Sequence, residues 1–132
     1  MLFKKNAQPA IRSLIGEGTR FEGDITFRDG LRIDGEVIGN IAAMGDGPTL
    51  LVISEKARVR GRVKAGHVII NGEVLGPVDC TALLELQPMA RVVGDVCYQV
   101  LEIHAGAKME GDLRHVASEG RPTLTLAASN DN

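Results

Sequence analysis

The sequence predicts an all-β chain folded as a single parallel β-helix of about six coils with a flexible tail at each end. Three observations carry that prediction. From Leu14 to about Val116, apolar or glycine residues fall at every second position, which is the spacing of extended strands with one face buried and the other in water. The strand unit repeats. Leu84-Glu85-Leu86, three residues, then Ala90, Val92, Gly94 and Val96 return 17 residues later as Leu101-Glu102-Ile103, three residues, then Ala107, Met109, Gly111 and Leu113. The same unit stands close to two periods upstream as Leu51-Val52-Ile53, a short gap, then Ala57, Val59, Gly61 and Val63. Finally, aromatics make up only 3% of the chain, with no Trp, against 16 glycines, so the interior has to be narrow and filled by Val, Ile, Leu and Ala. The three-and-four spacing of helical repeats is absent, and a unit of 17 residues is far short of a propeller blade of about 40.

Taken in order, residues 1–12 (MLFKKNAQPAIR) show no period and are expected to form a flexible tail. The β-helix is expected over residues 13–116. Its inward positions begin with Phe21, Gly23, Ile25 and Phe27, and continue through the strand pattern of Leu31 to Ile41. Glycines on that inward side point to bends or a cramped interior. Residues 44–48 (MGDGP) break the pattern and read as a loop. Leu51 and Ile53 resume it, and Val68, Ile70, Gly72, Val74, Gly76 and Val78 continue it. Stacked coils bring like residues into ladders: Leu51, Val68, Leu84 and Leu101 on one face, and Ala57, Val74, Ala90 and Ala107 at a corner. Residues 117–132 turn polar and aperiodic, a second flexible tail.

A chain of 132 residues makes one domain. The formal charge of −2 gives no bias towards nucleic acid, and no aromatics interleave with the basic residues to stack bases. No apolar run reaches the length of about 20 residues needed to span a bilayer. Cys80 and Cys97 are too few for a disulfide scaffold, and no secretory signal precedes them, so a reduced, cytoplasmic protein is expected.

Few residues invite a chemical role. His67, His104 and His115 fall in different columns of the repeat frame, so they read as surface histidines and no metal is expected. Glu85 and Glu102 are one coil apart and should stack facing outward; with no cleft around them they read as a solvated face rather than an acid/base pair. Arg58, Arg60, Arg62 and Lys64 form an outward basic strip, read as pairing along the ladder, with Arg62 beside Asp79 and with Asp95 and Asp112 beyond. Cys80 and Cys97 stack when counted back from Leu84 and Leu101, but fall on opposite faces when counted forward from Val78 and Val96; both alternatives stand. A phosphate loop, a nucleophile–base constellation and a CxxC motif are all missing, so no cofactor and no catalytic residue is expected.

Leu31-Arg32-Ile33-Asp34-Gly35 with Gly39-Asn40-Ile41, Ile15-Gly16-Glu17-Gly18 with Phe21 and Gly23, and Leu84-Glu85-Leu86 with Gly94-Asp95-Val96 together resemble the bactofilins over nearly all of the chain between the tails. The resemblance implies a right-handed β-helix and end-to-end polymerisation into nucleotide-independent bacterial filaments. It also implies a cytoplasmic place at the inner face of the cell membrane, and roles in cell shape and in positioning cell-wall enzymes or polar proteins. The tails here are short and lack a proline-rich arm. Rival readings are a left-handed hexapeptide enzyme, either an acyltransferase or a gamma-class carbonic anhydrase, and a monomeric β-helix binding module. The spacing of the repeats does not keep strict hexapeptides.

Two surfaces follow as expectations. A β-helix has no lateral edge, but its first and last coils leave an apolar layer uncovered unless something caps them. The polymer interface is therefore expected at Leu14, Ile15, Phe21 and Ile25 at one end, with Phe27 nearby, and at Ile103, Met109 and Leu113 at the other. Leu2, Phe3, Lys4 and Lys5 pair apolar side chains with cations and are expected to bind the membrane surface.

Overall fold

The computed structural model describes residues 9–117, which form sixteen strands and no helix. The chain winds through six coils, each laying one strand on each of three faces. Coil 1 is β1 (Ile11–Ile15), β2 (Arg20–Glu22) and β3 (Ile25–Phe27); coil 2 is β4 (Gly30–Ile33), β5 (Glu36–Ile38) and β6 (Ile41–Ala43). Coil 3 is β7 (Leu50–Ile53), β8 (Arg58–Arg60) and the first half of β9 (Val63–Ile70). β9 turns the corner and opens coil 4, followed by β10 (Glu73–Leu75) and the first half of β11 (Val78–Leu86), which in turn opens coil 5. Coil 5 closes with β12 (Arg91–Val93) and β13 (Val96–Tyr98); coil 6 is β14 (Val100–Ile103), β15 (Lys108–Glu110) and β16 (Leu113–His115). All pairings are parallel, and each joins a strand to its counterpart one coil away. The expected parallel β-solenoid of about six coils is therefore the observed fold. The first strand, β1, already pairs with β4 through Ile11 and Gly30.

The period of two becomes columns of side chains running the length of the solenoid. One face stacks Ile15, Ile33, Ile53, Ile70, Leu86 and Ile103. The second stacks Phe21, Val37, Val59, Val74, Val92 and Met109. The third stacks Ile25, Ile41, Val63, Val78, Val96 and Leu113. Ile33, Val59, Val74 and Val78 are wholly excluded from water, and each such burial contributes about 1.5–3 kcal/mol. Val74 therefore stands with Val59 and Val92, not with Ala57 as expected. Gly72 takes the place in the Ala57 column, since its carbonyl accepts Arg91 N–H as the Ala57 carbonyl accepts Glu73 N–H.

The corners explain that shift. Coils 1, 3, 5 and 6 turn from the first face to the second through a wide bend closed by one backbone bond, such as Ala57 N–H to Ser54 and Ala90 N–H to Gln87. Coils 2 and 4 cut the same corner short at Gly35 and Gly72. A Cβ on Gly72 would strike the carbonyl oxygens of Ser54 and Ala57 in the wide bend beside it. At the next corner every coil carries a glycine with positive φ: Gly23, Gly39, Gly61, Gly76, Gly94 and Gly111. These glycines stack so tightly that a Cβ on Gly61 would strike the Gly39 carbonyl oxygen, which no other residue type could tolerate. Their spacing along the chain is uneven, and the widest gap, from Gly39 to Gly61, holds the loop expected from the broken pattern, at residues 44–49. Its Thr49 Oγ1 accepts the Gly66 N–H at 2.9 Å and anchors the loop to the next coil.

Candidate functional site: the two uncovered ends

Within the interior columns, burial is complete in the middle and fails at the ends. Val63, Val78 and Val96 are 0% exposed, but Leu113 in the same column is 47% exposed; Ile33, Ile53 and Ile70 are 0%, but Ile103 is 51%. At the other end Phe21 is 38% exposed while its neighbour Val37 is 0%. Among the described residues no helix lies across either end. Coil 6 thus presents Leu101, Ile103, Met109 and Leu113; Leu101 and Met109 also pack on the core beneath. Coil 1 presents a shallow, mostly apolar hollow lined by Ser13, Leu14, Ile15, Phe21, Ile25 and Phe27, with Leu31 beneath. At each end a row of backbone groups, elsewhere satisfied by the next coil, has no further coil to pair with among the described residues, which is the condition of an open sheet edge.

The structure brings together Ile15, Phe21 and Ile25 at one end and Ile103, Met109 and Leu113 at the other, as expected from the pattern. Leu14 borders the same hollow but from the outward side. It pairs with Arg32, whose row of Val52, Ile69, Glu85 and Glu102 faces outward. Adjacent residues of a strand point to opposite faces, so Leu14 and Ile15 cannot share the interior layer; Leu14 stands at the rim and is 60% exposed. Leu2, Phe3, Lys4 and Lys5 lie outside the described residues, as does the C-terminal tail from residue 118.

The outer surface is a charge ladder. Arg20, Glu36, Arg58, Glu73, Arg91 and Lys108 form one row. Glu73 accepts both Arg58 at 3.1 Å and Arg91 at 2.7 Å. The basic strip is therefore partly neutralised along the ladder, as expected. Arg62 meets Asp79 at 2.8 Å, but Asp79 stands in register with Lys64 and Cys97. Asp95 and Asp112 belong instead to the corner row after the stacked glycines. There a side chain of one coil accepts a backbone N–H of the next: Asp24 from Asn40 at 3.0 Å, Asn40 from Arg62 at 2.9 Å, and Asp95 from Asp112 at 3.1 Å. Pro77 interrupts this run, having neither an N–H nor a side-chain acceptor. Nothing in the strand period marks this row, although the recurring Gly-Asp/Asn pairs at 23–24, 39–40, 94–95 and 111–112 carry its signal.

The cysteines separate. Cys97 pairs with Asp79 and Cys80 with Ala65, so the forward count from Val78 and Val96 is the correct one. Cys80 is buried, its Sγ donates to the Gly66 carbonyl at 3.0 Å, and burial pushes its thiol pKa up. It behaves as a small core residue rather than a nucleophile. His67 is half-buried rather than on the open surface as expected, and burial holds its imidazole below the usual histidine range, against the pull of Glu85 and Glu102. His115 packs against Tyr98 in a tilted arrangement, with ring centroids 5.7 Å apart. Glu85 and Glu102 do stack in register.

No helix among the described residues is long and apolar enough to cross a membrane. No curated protein and no solved structure matches the chain. A family model described as bactofilin, polymer-forming cytoskeletal, matches residues 13–114, which is nearly all of the solenoid and well over half of the chain. A stack of parallel coils with open apolar ends is what a polymer-forming subunit requires, and the chain belongs to the bactofilin family.

Proposed function

We propose that copies of this chain join end to end through the uncovered layers of coils 1 and 6, forming filaments that need no nucleotide. The single observation behind this reading is that, among the described residues, each interior column is sealed through the middle coils and open at both ends, and another copy's coil offers the same cross-section to complete it. Ile15, Phe21 and Ile25 would form one contact and Ile103, Met109 and Leu113 the other, with Leu14 at the rim. Family membership supports self-association and a structural, non-enzymatic role. The mixture of wide and narrow corners, and the uneven spacing of the corner glycines, do not suit a strict hexapeptide enzyme.

Met109→Arg tests the joint. It places a charge where burial without a partner costs several kcal/mol. The variant is expected to give soluble, folded short species with β-type circular dichroism and no filaments by electron microscopy. Normal filaments would exclude coil 6 as a joint, and outright unfolding would make Met109 ordinary core.

Filament tails offer a second surface. Leu2 and Phe3 with Lys4 and Lys5 bind anionic lipid weakly as one copy, and a filament multiplies that contact. This reading places the filament at the inner face of the cell membrane, in service of cell shape and of the placement of cell-wall enzymes or polar proteins. Deleting residues 2–5 is expected to release filaments from anionic liposomes without dispersing them; unchanged liposome binding would remove the anchor from the account.

A further inference from the structure

We propose that Glu85, Glu102 and His104 form a binding site for a divalent transition ion of the zinc type, bridging coils 5 and 6. Glu85 lies on β11 in coil 5, Glu102 on β14 in coil 6, and His104 in the wide bend just after β14. Their ligand atoms all lie within 4.8 Å of one another. The three histidines remain apart, as the columns require; what the columns do not show is that the bend returns His104 beside the stacked carboxylates.

Two features point to an ion. First, the stack sets two like charges on adjacent rungs, which is destabilising by itself. Among the described residues neither glutamate forms an ion pair with Lys or Arg; the histidines near them are His104, 3.4 Å from Glu85, and the half-buried His67, which feels the charge of both. The two stacked carboxylates bring a double negative charge that a divalent ion would cancel. Second, His104 Nε2 stands 3.4 Å from Glu85 Oε2. That is long for a hydrogen bond, but it is close to the separation of about 3.3 Å between ligand atoms around a tetrahedral zinc with bonds of about 2.0–2.1 Å. Gln87 Nε2 donates to the same Oε2 at 3.1 Å, fixing the carboxylate as an outer partner does in metal sites. Glu102 is exposed, so its carboxylate has room to swing the remaining distance. Nitrogen with two carboxylate oxygens suits zinc and its neighbours better than magnesium or calcium, which take oxygen alone. Three protein ligands leave a fourth position to water.

The ion would tie the last coil to the one beneath it, on the side wall and clear of the apolar end layer. This inference does not depend on how copies join. Zinc chloride is titrated calorimetrically into the chelator-stripped full chain, and into Glu102→Gln and His104→Ala, whose side chains are exposed and whose fold is checked by circular dichroism. The expected result is one zinc per chain in the wild type and binding weakened at least about 10-fold in each variant, with zinc slowing amide exchange in coil 6 of the wild type only. Magnesium is expected to give neither effect. Zinc binding unchanged in both variants, no stoichiometric zinc binding in the wild type, or equal response to magnesium would each overturn the site.

Discussion

Val78 and Leu113 occupy the same column of the solenoid, one in coil 4 and the other in coil 6, yet one is 0% exposed and the other 47%. The residues hardly differ in chemistry. What differs is whether a further coil lies on top. The comparison teaches that no coil of this fold owns its stability: each is stabilised by the apolar layer of the coil beside it, and the first and last therefore carry an unmet demand. The middle coils are structure; the end coils are structure on one side and, in the proposed assembly, a binding surface on the other.

The largest test of that contrast lies in the glycine row. Gly61→Ala forces a Cβ against the Gly39 carbonyl at a φ of +147°, and is expected to destabilise by more than about 4 kcal/mol or to abolish folding. Gly23→Ala, in the same row of coil 1, meets only the edge of Phe21 at 3.6 Å. It should keep just the strain of its backbone, about 1–3 kcal/mol. Equal losses in urea unfolding would mean that stacking is not what constrains the row. A smaller contrast comes from one aliphatic column. Ile53→Ala opens a cavity in a sealed layer and is expected to cost about 2–5 kcal/mol. Ile103→Ala, measured in dispersed protein, should cost less than half as much, because its site is already half open. In filaments the two losses should converge.

Surface changes should be milder. Glu73→Gln removes the shared partner of Arg58 and Arg91; the pairs are partly exposed, so a loss of up to about 1 kcal/mol is expected, shrinking with salt. Acid gives the smallest effect. Above the ordinary histidine value of 6.5 the His67 ring is neutral both folded and unfolded. Below it the unfolded chain takes up a proton that the buried ring resists, so stability falls as pH drops through 6.5 towards the lower folded value. His67→Gln should flatten that slope in a pH series of thermal midpoints; a steeper slope would reverse the assignment.

Most of the fold is legible in the chain because a period of two sustained over six coils leaves few other ways to bury Val, Ile and Leu without aromatics. A regular repeat frame holds where corners match, as for Leu51, Val68, Leu84 and Leu101. It fails where they do not. Coil 4 turns its corner at Gly72 with fewer residues, which moves Val74 one column along; separately, the chain runs one residue longer from Val78 to Leu83 than between their partners Val96 and Val100, and that is what leaves the cysteines ambiguous. Leu14 stands at the rim of the end layer rather than within it because strand alternation gives the inward place to Ile15 beside it. The meeting of Glu85, Glu102 and His104 is invisible in the sequence because a bend residue belongs to no strand column, and its position depends on how the wide corner closes through Ala107 N–H and the His104 carbonyl.

The central claim is that the open layers of coils 1 and 6 are covered by other copies in the filament. Hydrogen exchange resolved along the chain tests it most directly, on filaments and on the dispersed Met109→Arg protein side by side. The account predicts that in dispersed protein the amides of β2, β15 and β16 exchange much faster than those of β8 and β10, and that in filaments this difference largely disappears. If the terminal strands exchange as fast in filaments as in dispersed protein, copies do not meet at the ends, and the account is wrong.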